Sequence, residues 1–419
     1  MPIRISVIIA KENNSIANYI NLFHANIVSL MNLSTKRLIN NNLNSKALSK
    51  RIITISFFLC LTVAVSCFWL KAAQNDFDRQ SITAGDHKEV IAQRPTDSII
   101  TLVAVGDVMM GSNYPSAANC PPKEVKLLDP VAAFLRNADL TFANLEGSVL
   151  NSGGERKQCS NPSVCYAFRQ PEYLVDQMKE AGIDLFSVAN NHLGDFGNTG
   201  RLNTCRVLRE KGFRFAGQET HPWDTITVKN IRVGLTAFAP NRGCLQLNDQ
   251  ALIKRTVSDL KKICDLVIVS FHGGAEGNKM THVTRRSEQY VGENRGNVYE
   301  FARVAIDAGA DVILGHGPHV PRAIDLYKGR FITYSMGNFC TYGQFGLSGA
   351  TGIAPIFHLT LRRDGSFLEG KIMSIKQIGE GGPLIDESKA AQKLIESLTQ
   401  SDIPEVSLEL GTEGIFRFR

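Results

Sequence analysis

Two imidazoles three residues apart, in Gly315-His316-Gly317-Pro318-His319-Val320, are the side chains here best suited by type to hold a metal ion. Imidazole is the commonest metal ligand because a neutral ring nitrogen donates well to borderline cations. The flanking glycines let the backbone turn close to an ion, and Pro318 stiffens the approach. The pair gains weight from five other polar clusters, each placed just after an apolar run. These are Gly106-Asp107-Val108-Met109, Asn144-Leu145-Glu146-Gly147, Asn190-Asn191-His192 with Asp195 three residues on, His272-Gly273-Gly274-Ala275-Glu276, and Ser335-Met336-Gly337-Asn338-Phe339. Any one of them has an ordinary structural reading as a helix cap, a tight turn or a hydrogen-bonded histidine. Six successive strand ends carrying Asp, Glu, Asn or His exceed what stability requires. Four histidines, two or three carboxylates and Asn amides on one rim describe a metal site of mixed nitrogen and oxygen ligands.

The elements that must position these residues are legible as alternating apolar runs and amphipathic helices. Strands are expected at 99–105, 138–143, 183–189, 232–239, 266–271 and 311–314. Helices are expected from Asp129-Pro130 onward and at 171–181, 199–211, 250–262 and 297–308. In open α/β sheets, ligands bind beyond the carboxyl ends of the strands, which is where the clusters fall. From 323 the texture changes to neighbouring antiparallel strands at 323–327, 330–334, 353–362 and 367–375, the last two joined by an Asp364-Gly365 turn. A terminal helix is expected at 384–399. The pattern is one α/β domain with mixed sheets over 98–380, followed by a C-terminal helix and tail at 381–419.

With 419 residues, 43% hydrophobic and 21% charged, the chain has the composition of a globular protein. A net charge of +6, much of it within the first 51 residues, together with the absence of a basic stripe, argues against nucleic acid as a partner. Residues 52–70 (IITISFFLCLTVAVSCFWL) form 19 residues without a charge, about the length that spans a bilayer. Lys50 and Arg51 precede them, with Lys46, Arg37 and Lys36 further back and no acid between Met31 and Arg51. That bias places 1–51 in the cytoplasm as a basic leader and the rest outside, behind a transmembrane signal-anchor at 52–70 and a polar stalk at 71–97. A cleaved signal peptide is the competing reading of the apolar segment. Met31 begins a more conventional leader, so 1–30 are open as an untranslated extension. Of nine cysteines, Cys159 and Cys165 flank a polar loop and are the first pair to expect bridged, with Cys120 as competitor.

As an ordered set over roughly 98–345, the six clusters resemble the capsule-synthesis family called CapA, or poly-γ-glutamate biosynthesis proteins, within the calcineurin-like metallophosphatase superfamily. The resemblance implies a four-layer αββα metallophosphatase-like sandwich carried on an N-terminal transmembrane helix. It implies one or two divalent ions, with Mn, Zn and Fe not distinguished. It gives ligand roles to Asp107, Glu146 (bridging), Asn191, His272 and one or both of His316 and His319. His192 takes the place of the catalytic acid with Asp195 behind it, and Glu276, Ser335 and Asn338 fall with the substrate. Two departures stand out. Met109 occupies the position of a superfamily histidine, and a thioether is a poor ligand for such ions. Gly273 stands where the family carries Trp.

The expected function is therefore a membrane-anchored, extracytoplasmic, metal-dependent hydrolase of capsule or poly-γ-glutamate synthesis. Its partners would be an anionic cell-surface polymer and other capsule-synthesis membrane proteins. The alternative is a non-catalytic assembly or export component that binds the polymer. Arg242, Arg285 and Arg322 could hold an anionic substrate, although an arginine in such a setting is more often a plain surface charge.

Overall fold

The computed structural model describes residues 98–159, 165–411 and 413–418. The leader, the apolar span at 52–70 and the stalk lie outside the described residues. No helix among those described is long and apolar enough to cross a membrane.

In chain order the elements are β1 (Ile99–Met109), α1 (Asp129–Leu135), β2 (Leu140–Leu145), β3 (Ser148–Val149), β4 (Arg169–Gln170), α2 (Glu172–Glu180), β5 (Leu185–Ser187), α3 (Gly197–Glu210) and β6 (Arg214–Ala216). There follow β7 (Trp223–Val228), β8 (Ile231–Ala239), β9 (Leu245–Gln246), α4 (Gln250–Ile263), β10 (Leu266–His272), β11 (Glu288–Tyr290), β12 (Glu293–Gly296), α5 (Val298–Asp307) and β13 (Val312–His316). The last are β14 (Ile324–Tyr327), β15 (Arg330–Thr333), β16 (Asn338–Thr341), β17 (Ile353–Arg362), β18 (Phe367–Gln377), β19 (Pro383–Ile385), α6 (Ala390–Asp402), β20 (Leu408–Leu410) and β21 (Ile415–Phe418).

Local chemistry accounts for many boundaries. Asp249 and Asn297 cap α4 and α5 by accepting from the Leu252 and Glu300 amides. Gly182, at φ +96°, stops α2 in the left-handed conformation that favours glycine. Lys229-Asn230 and Lys328-Gly329 all take positive φ, which turns β7 into β8 and β14 into β15 as tight hairpins.

Two sheets form the centre. The first runs β20-β21-β18-β17-β1-β2-β5-β6, with β16 also on β1 and β19 on β18; the second runs β14-β15-β13-β10-β8-β7, with β9 on β8. The inner strands β1, β2, β5 and β6 are parallel, as are β8, β10, β13 and β15. Alternation along each strand divides its side chains between two faces. Leu102 and Ala104 of β1 and Phe142 of β2 meet Val233 and Leu235 of β8, Ile268 of β10 and Leu314 of β13 in one buried cluster between the sheets. Val103 and Val105 point the other way, onto Leu135 of α1, Leu174 and Met178 of α2 and Leu208 of α3. Val269 and Phe271 face Val257 and Leu260 of α4 and Phe301 and Ala305 of α5. Helices, sheet, sheet and helices follow in that order. Burial on both faces explains why the inner strands read as continuous apolar runs.

The segment expected as a tail, 381–419, is part of the body. β19 and β21 pair with β18, β20 pairs with β21, and α6 buries Ile395 and Leu398. The two sheets turn the carboxyl ends of β1, β2, β5, β10 and β13 to one rim.

Candidate metal centre

Asp107 stands near the end of β1, Glu146 one residue past β2, and Asn190, Asn191 and His192 just past β5. On the other sheet His272 ends β10 and His316 ends β13 in register with it, so two imidazoles leave adjacent parallel strands side by side. Ligand atoms of Asp107, Glu146 and His272, all buried, lie within 4.8 Å of one another.

Close backbone approach makes this convergence possible. The Asp107 amide donates to Gly337 O at 2.9 Å, and a Cβ on Gly106 would sit 2.0 Å from that oxygen. Gly317, at φ +117°, packs so tightly on Gly273 that a Cβ would meet its carbonyl at 2.6 Å. His319 itself takes φ +59°, a left-handed conformation uncommon for a residue with a side chain and concentrated at functional sites.

Hydrogen bonds separate the buried groups into two sets. Asp107 Oδ1 accepts from Asn144 Nδ2 and from His316 Nδ1, both at 2.9 Å, and Oδ2 accepts from His319 Nδ1 at 3.0 Å. His319 Nδ1 also reaches Asn338 Oδ1 at 3.0 Å, and its Nε2 lies 3.5 Å from Glu146 and 3.8 Å from Glu276. By contrast, both oxygens of Glu146, Asn191 Oδ1, both nitrogens of His272 and His316 Nε2 are buried without a hydrogen-bond partner. An unpartnered buried polar group costs about 1–3 kcal/mol, so such a concentration calls for a partner that the protein itself does not supply. A carboxylate, an amide oxygen and two imidazoles are the donors a borderline divalent ion takes. The residues present fit such an ion.

Charge is distributed accordingly. Burial pushes Glu146 well above the usual carboxylate range; His319 opposes this, while Asp107 and Glu276 add to it. Burial works against ionisation of Asp107 too, but the His316 and His319 hydrogen bonds and charges hold it well below the usual range. Burial also resists protonation of His319, yet Glu146, the Asp107 hydrogen bond and Glu276 lift it to about 10. Burial drives His272 well below its ordinary value, leaving a neutral ring with its lone pair available.

His192 lies beside this group with Nε2 3.9 Å from Glu146. Its Nδ1 donates to Asp195 Oδ2 at 2.7 Å, which fixes the ring so that Nε2 faces the centre. Burial lowers its affinity for a proton, Asp195 partly restores it, and Lys157 opposes. Asp195 also accepts from the Phe168 amide at 2.7 Å and pairs with Lys157 Nζ at 2.6 Å. The Phe168 ring stacks on His192 with centroids 4.3 Å apart. Glu276 is held by Arg295 of β12 and accepts from Asn191 at 3.4 Å.

Lys157, Phe168 and Arg295 went unnamed in the sequence because they sit in an irregular loop and a short hairpin without periodic signal. Ser335 is fully buried and its hydroxyl accepts from the Gly337 amide at 3.4 Å, so it serves the turn. Asn338 is buried against His319 and Thr351 O. Arg322 is fully enclosed in a two-pronged pair with Glu288, which overturns its reading as a surface charge or substrate clamp. Arg285 pairs with Glu405, and Arg242 is exposed. At Gly273 a Cβ would meet Arg295 O at 2.8 Å and Leu247 Cδ1 at 2.9 Å, so the packing of β12 and Leu247 leaves no room for a side chain there.

Lys157, Tyr166, Asn191, His192, Glu276 and Arg295 line a cleft of 340 Å³ open to solvent. Cys159, bridged to Cys165, also lines it. A larger cavity, 810 Å³, lies at the opposite strand ends among Ser98, Arg232, Asp265 and Arg363 and holds none of the residues above.

Residues 101–342 match the family described as bacterial capsule synthesis protein PGA_cap. The chain is 26% identical over 314 residues to the capsule biosynthesis protein CapA of Bacillus anthracis, covering 70% of this chain and 69% of that one. It is 25% identical over 261 residues to the PGA biosynthesis protein CapA of Bacillus subtilis (strain 168), covering 58% of this chain and 64%, under two thirds, of that relative. Among solved structures it is similar to a putative 5'-nucleotidase from Staphylococcus aureus, with 15% identity, a TM-score of 0.39, and 72% of this chain and 58% of that chain covered.

Proposed function

The chain belongs to the bacterial capsule synthesis protein family PGA_cap, and from that premise we propose that it is a metal-dependent hydrolase or group-transfer enzyme acting on an anionic polymer of the cell surface, poly-γ-glutamate or similar. The observation that carries the reading is the group of buried, unpartnered ligand atoms on Glu146, Asn191, His272 and His316, set against the His192–Asp195 pair. A divalent ion bound there would lower the pKa of a coordinated water and polarise a phosphoryl or amide-type group. His192 Nε2 would pass a proton to the leaving group, while Asp195 keeps the ring oriented from behind. Lys157, part-exposed on the cleft, would draw in an anionic chain although it already faces Asp195.

The uncharged stretch 52–70 behind Lys50 and Arg51 supports a single-pass anchor that leaves this domain on the outer face of a membrane. Two curated relatives are named for capsule and PGA biosynthesis, which supports the polymer as substrate class and other capsule-synthesis membrane proteins as partners. Met109, buried at the position of a superfamily ligand, favours a second reading in which the protein binds polymer without turning it over.

The test is metal content of the purified full-length protein, followed by turnover of phosphoester and γ-glutamyl substrates against His192→Ala. Metal retained by both proteins, with turnover confined to wild type, supports the enzyme. Metal with no turnover selects the second reading, and no metal, even after reloading with Mn²⁺ or Zn²⁺, refutes the enzyme.

A further inference from the structure

We propose that Lys157 and Phe168 are positioning residues for the His192–Asp195 pair, and that the Cys159–Cys165 bridge holds them in place as a local staple. The inference rests on the reading of His192 as proton donor and goes beyond it by assigning what keeps that donor aimed. It starts from the contacts of Asp195, which is fully buried. The backbone amide of Phe168 donates to Oδ2 at 2.7 Å, and Lys157 Nζ meets Oδ1 at 2.6 Å. The Lys157 amide also donates to the Asp195 carbonyl at 2.8 Å. Asp195 is thus held by two residues on opposite sides of the 159–165 loop.

His192 needs two restraints. The bond from Nδ1 to Asp195 Oδ2, at 2.7 Å, fixes where one edge of the ring points but leaves rotation about that bond open. Phe168 closes that freedom, because its ring lies against the His192 ring with centroids 4.3 Å apart and planes at 37°. Phe345 in turn stacks on Phe168, with centroids 5.2 Å apart. Ring contacts of this kind favour defined separations and tilts. One residue therefore restrains both members of the pair, Asp195 through its amide and His192 through its ring.

The described residues from 152 to 159 and from 165 to 168 belong to no helix or strand. A segment without a hydrogen-bonded ladder keeps its shape through tertiary ties. Cys159 lies two positions after Lys157, and Cys165 three before Phe168. The bridge brings their Cα atoms to 5.7 Å. Arg156 Nη2 adds a second tie, donating to the Cys165 carbonyl at 3.0 Å. A bridge with a sequence separation of 6 closes a short loop, so it stabilises the whole fold less than a long-range bridge would and acts on local geometry. Cys159 and Tyr166 line the same cleft as His192, so the staple borders the site it serves.

The test compares full-length wild type with Cys159→Ser/Cys165→Ser, Lys157→Met, Phe168→Leu and Lys157→Arg. In chelator-treated protein, modification of His192 by diethylpyrocarbonate is followed by peptide mass mapping, with the buried His272 and His316 as internal references. The double serine variant, Lys157→Met and Phe168→Leu should each modify His192 severalfold faster than wild type while the references stay unchanged. Lys157→Arg should return to near the wild-type rate. On a phosphoester or γ-glutamyl substrate, the double serine variant should lose up to about 100-fold in kcat with metal content unchanged, as displacement of a reacting group by about 1 Å does. An unchanged His192 rate in any of the first three variants would overturn the inference. So would a rise shared by His272 and His316, because it reports a general loosening. No turnover by wild type would refute the hydrolase reading, and the modification rates would still decide this one.

Discussion

Replacing Arg322 with methionine should cost this fold about 3–5 kcal/mol. The guanidinium is fully buried and grips Glu288 with two near-parallel bonds, Nη1 to Oε1 at 3.0 Å and Nη2 to Oε2 at 2.9 Å, while Nε donates to Met280 O at 2.7 Å. Methionine keeps much of the volume but leaves the Glu288 carboxylate, 7% exposed, without its counter-charge. Removing one partner of a buried pair strands the other in a medium that solvates it poorly, which is where the quoted range comes from. Against a total stability of about 5–15 kcal/mol that is a severe loss. At about 2–4 °C per kcal/mol for a chain of this size, the melting midpoint should fall by roughly 6–20 °C. Glu288 also accepts from the Ala275 amide at 2.8 Å, so the damage falls on the segment that carries His272 and Glu276. The double variant Arg322→Met/Glu288→Leu removes both charges and should recover most of the loss, because apolar replacement of a whole buried pair is often close to neutral. Thermal and denaturant melts of wild type, both single variants and the double form a double-mutant cycle. A single variant within about 1 kcal/mol of wild type, or a double variant no better than the single, would refute the reasoning.

Three other outcomes follow from the same geometry. Burial, opposed by His319 and reinforced by Asp107 and Glu276, raises the Glu146 carboxyl; ionising it in the metal-free fold therefore costs more than in the unfolded chain. Metal-free stability should fall as pH rises from the usual carboxylate range toward the raised folded value, and Glu146→Gln should melt higher than stripped wild type at neutral pH while losing the rise that metal confers. A Gln variant less stable than stripped wild type at every pH would contradict this. Gly106→Ala would bring a Cβ within 2.0 Å of Gly337 O and 2.8 Å of Met336 O, both backbone, so a loss of about 1–3 kcal/mol or more is expected in melts, and an unchanged midpoint would count against the close approach. Peptide mapping should find Cys159 bridged to Cys165, with Cys120 alkylated ahead of the buried Cys244 and Cys340. Burial pushes the Cys244 thiol up to about 11 and raises Cys340 further; labelling of Cys340 in the native protein as fast as Cys120 would be the contrary result.

Much of the scaffold was legible because burial on both faces leaves unbroken apolar runs. The strands 353–362 and 367–377 and the helices at 172–180, 250–263 and 298–307 fall within a few residues of where composition alone puts them. The clustering of Asp107, Glu146, His272 and His316 was legible as well, since parallel strands must deliver their ends to a common rim. Roles within the cluster were not. Whether Asp107 ligates or orients depends on which ring atom faces it, and nothing in residue spacing encodes a ring's direction. Lys157 and Arg295 come from a loop and a hairpin whose partners, Asp195 and Glu276, are settled only by tertiary packing. Arg322 shows the opposite error: its type suggests solvent, and only Glu288, 34 residues away, makes burial tolerable.

β1 lies in the middle of the first sheet, between β2 and β17. The second of those neighbours is built from residues 353–362, long after β1 itself. At typical ribosomal speeds of roughly 5–20 residues per second, one edge of β1 stays unpaired for on the order of ten to fifty seconds while the whole second sheet is being made. An open apolar strand edge invites pairing with other chains. The nascent protein therefore has a long interval in which a holdase, or passage through a membrane pore in unfolded form, would protect it. A stop codon anywhere before residue 353 would leave that edge exposed for good, so truncated products should be cleared or aggregate and should not accumulate as soluble fragments.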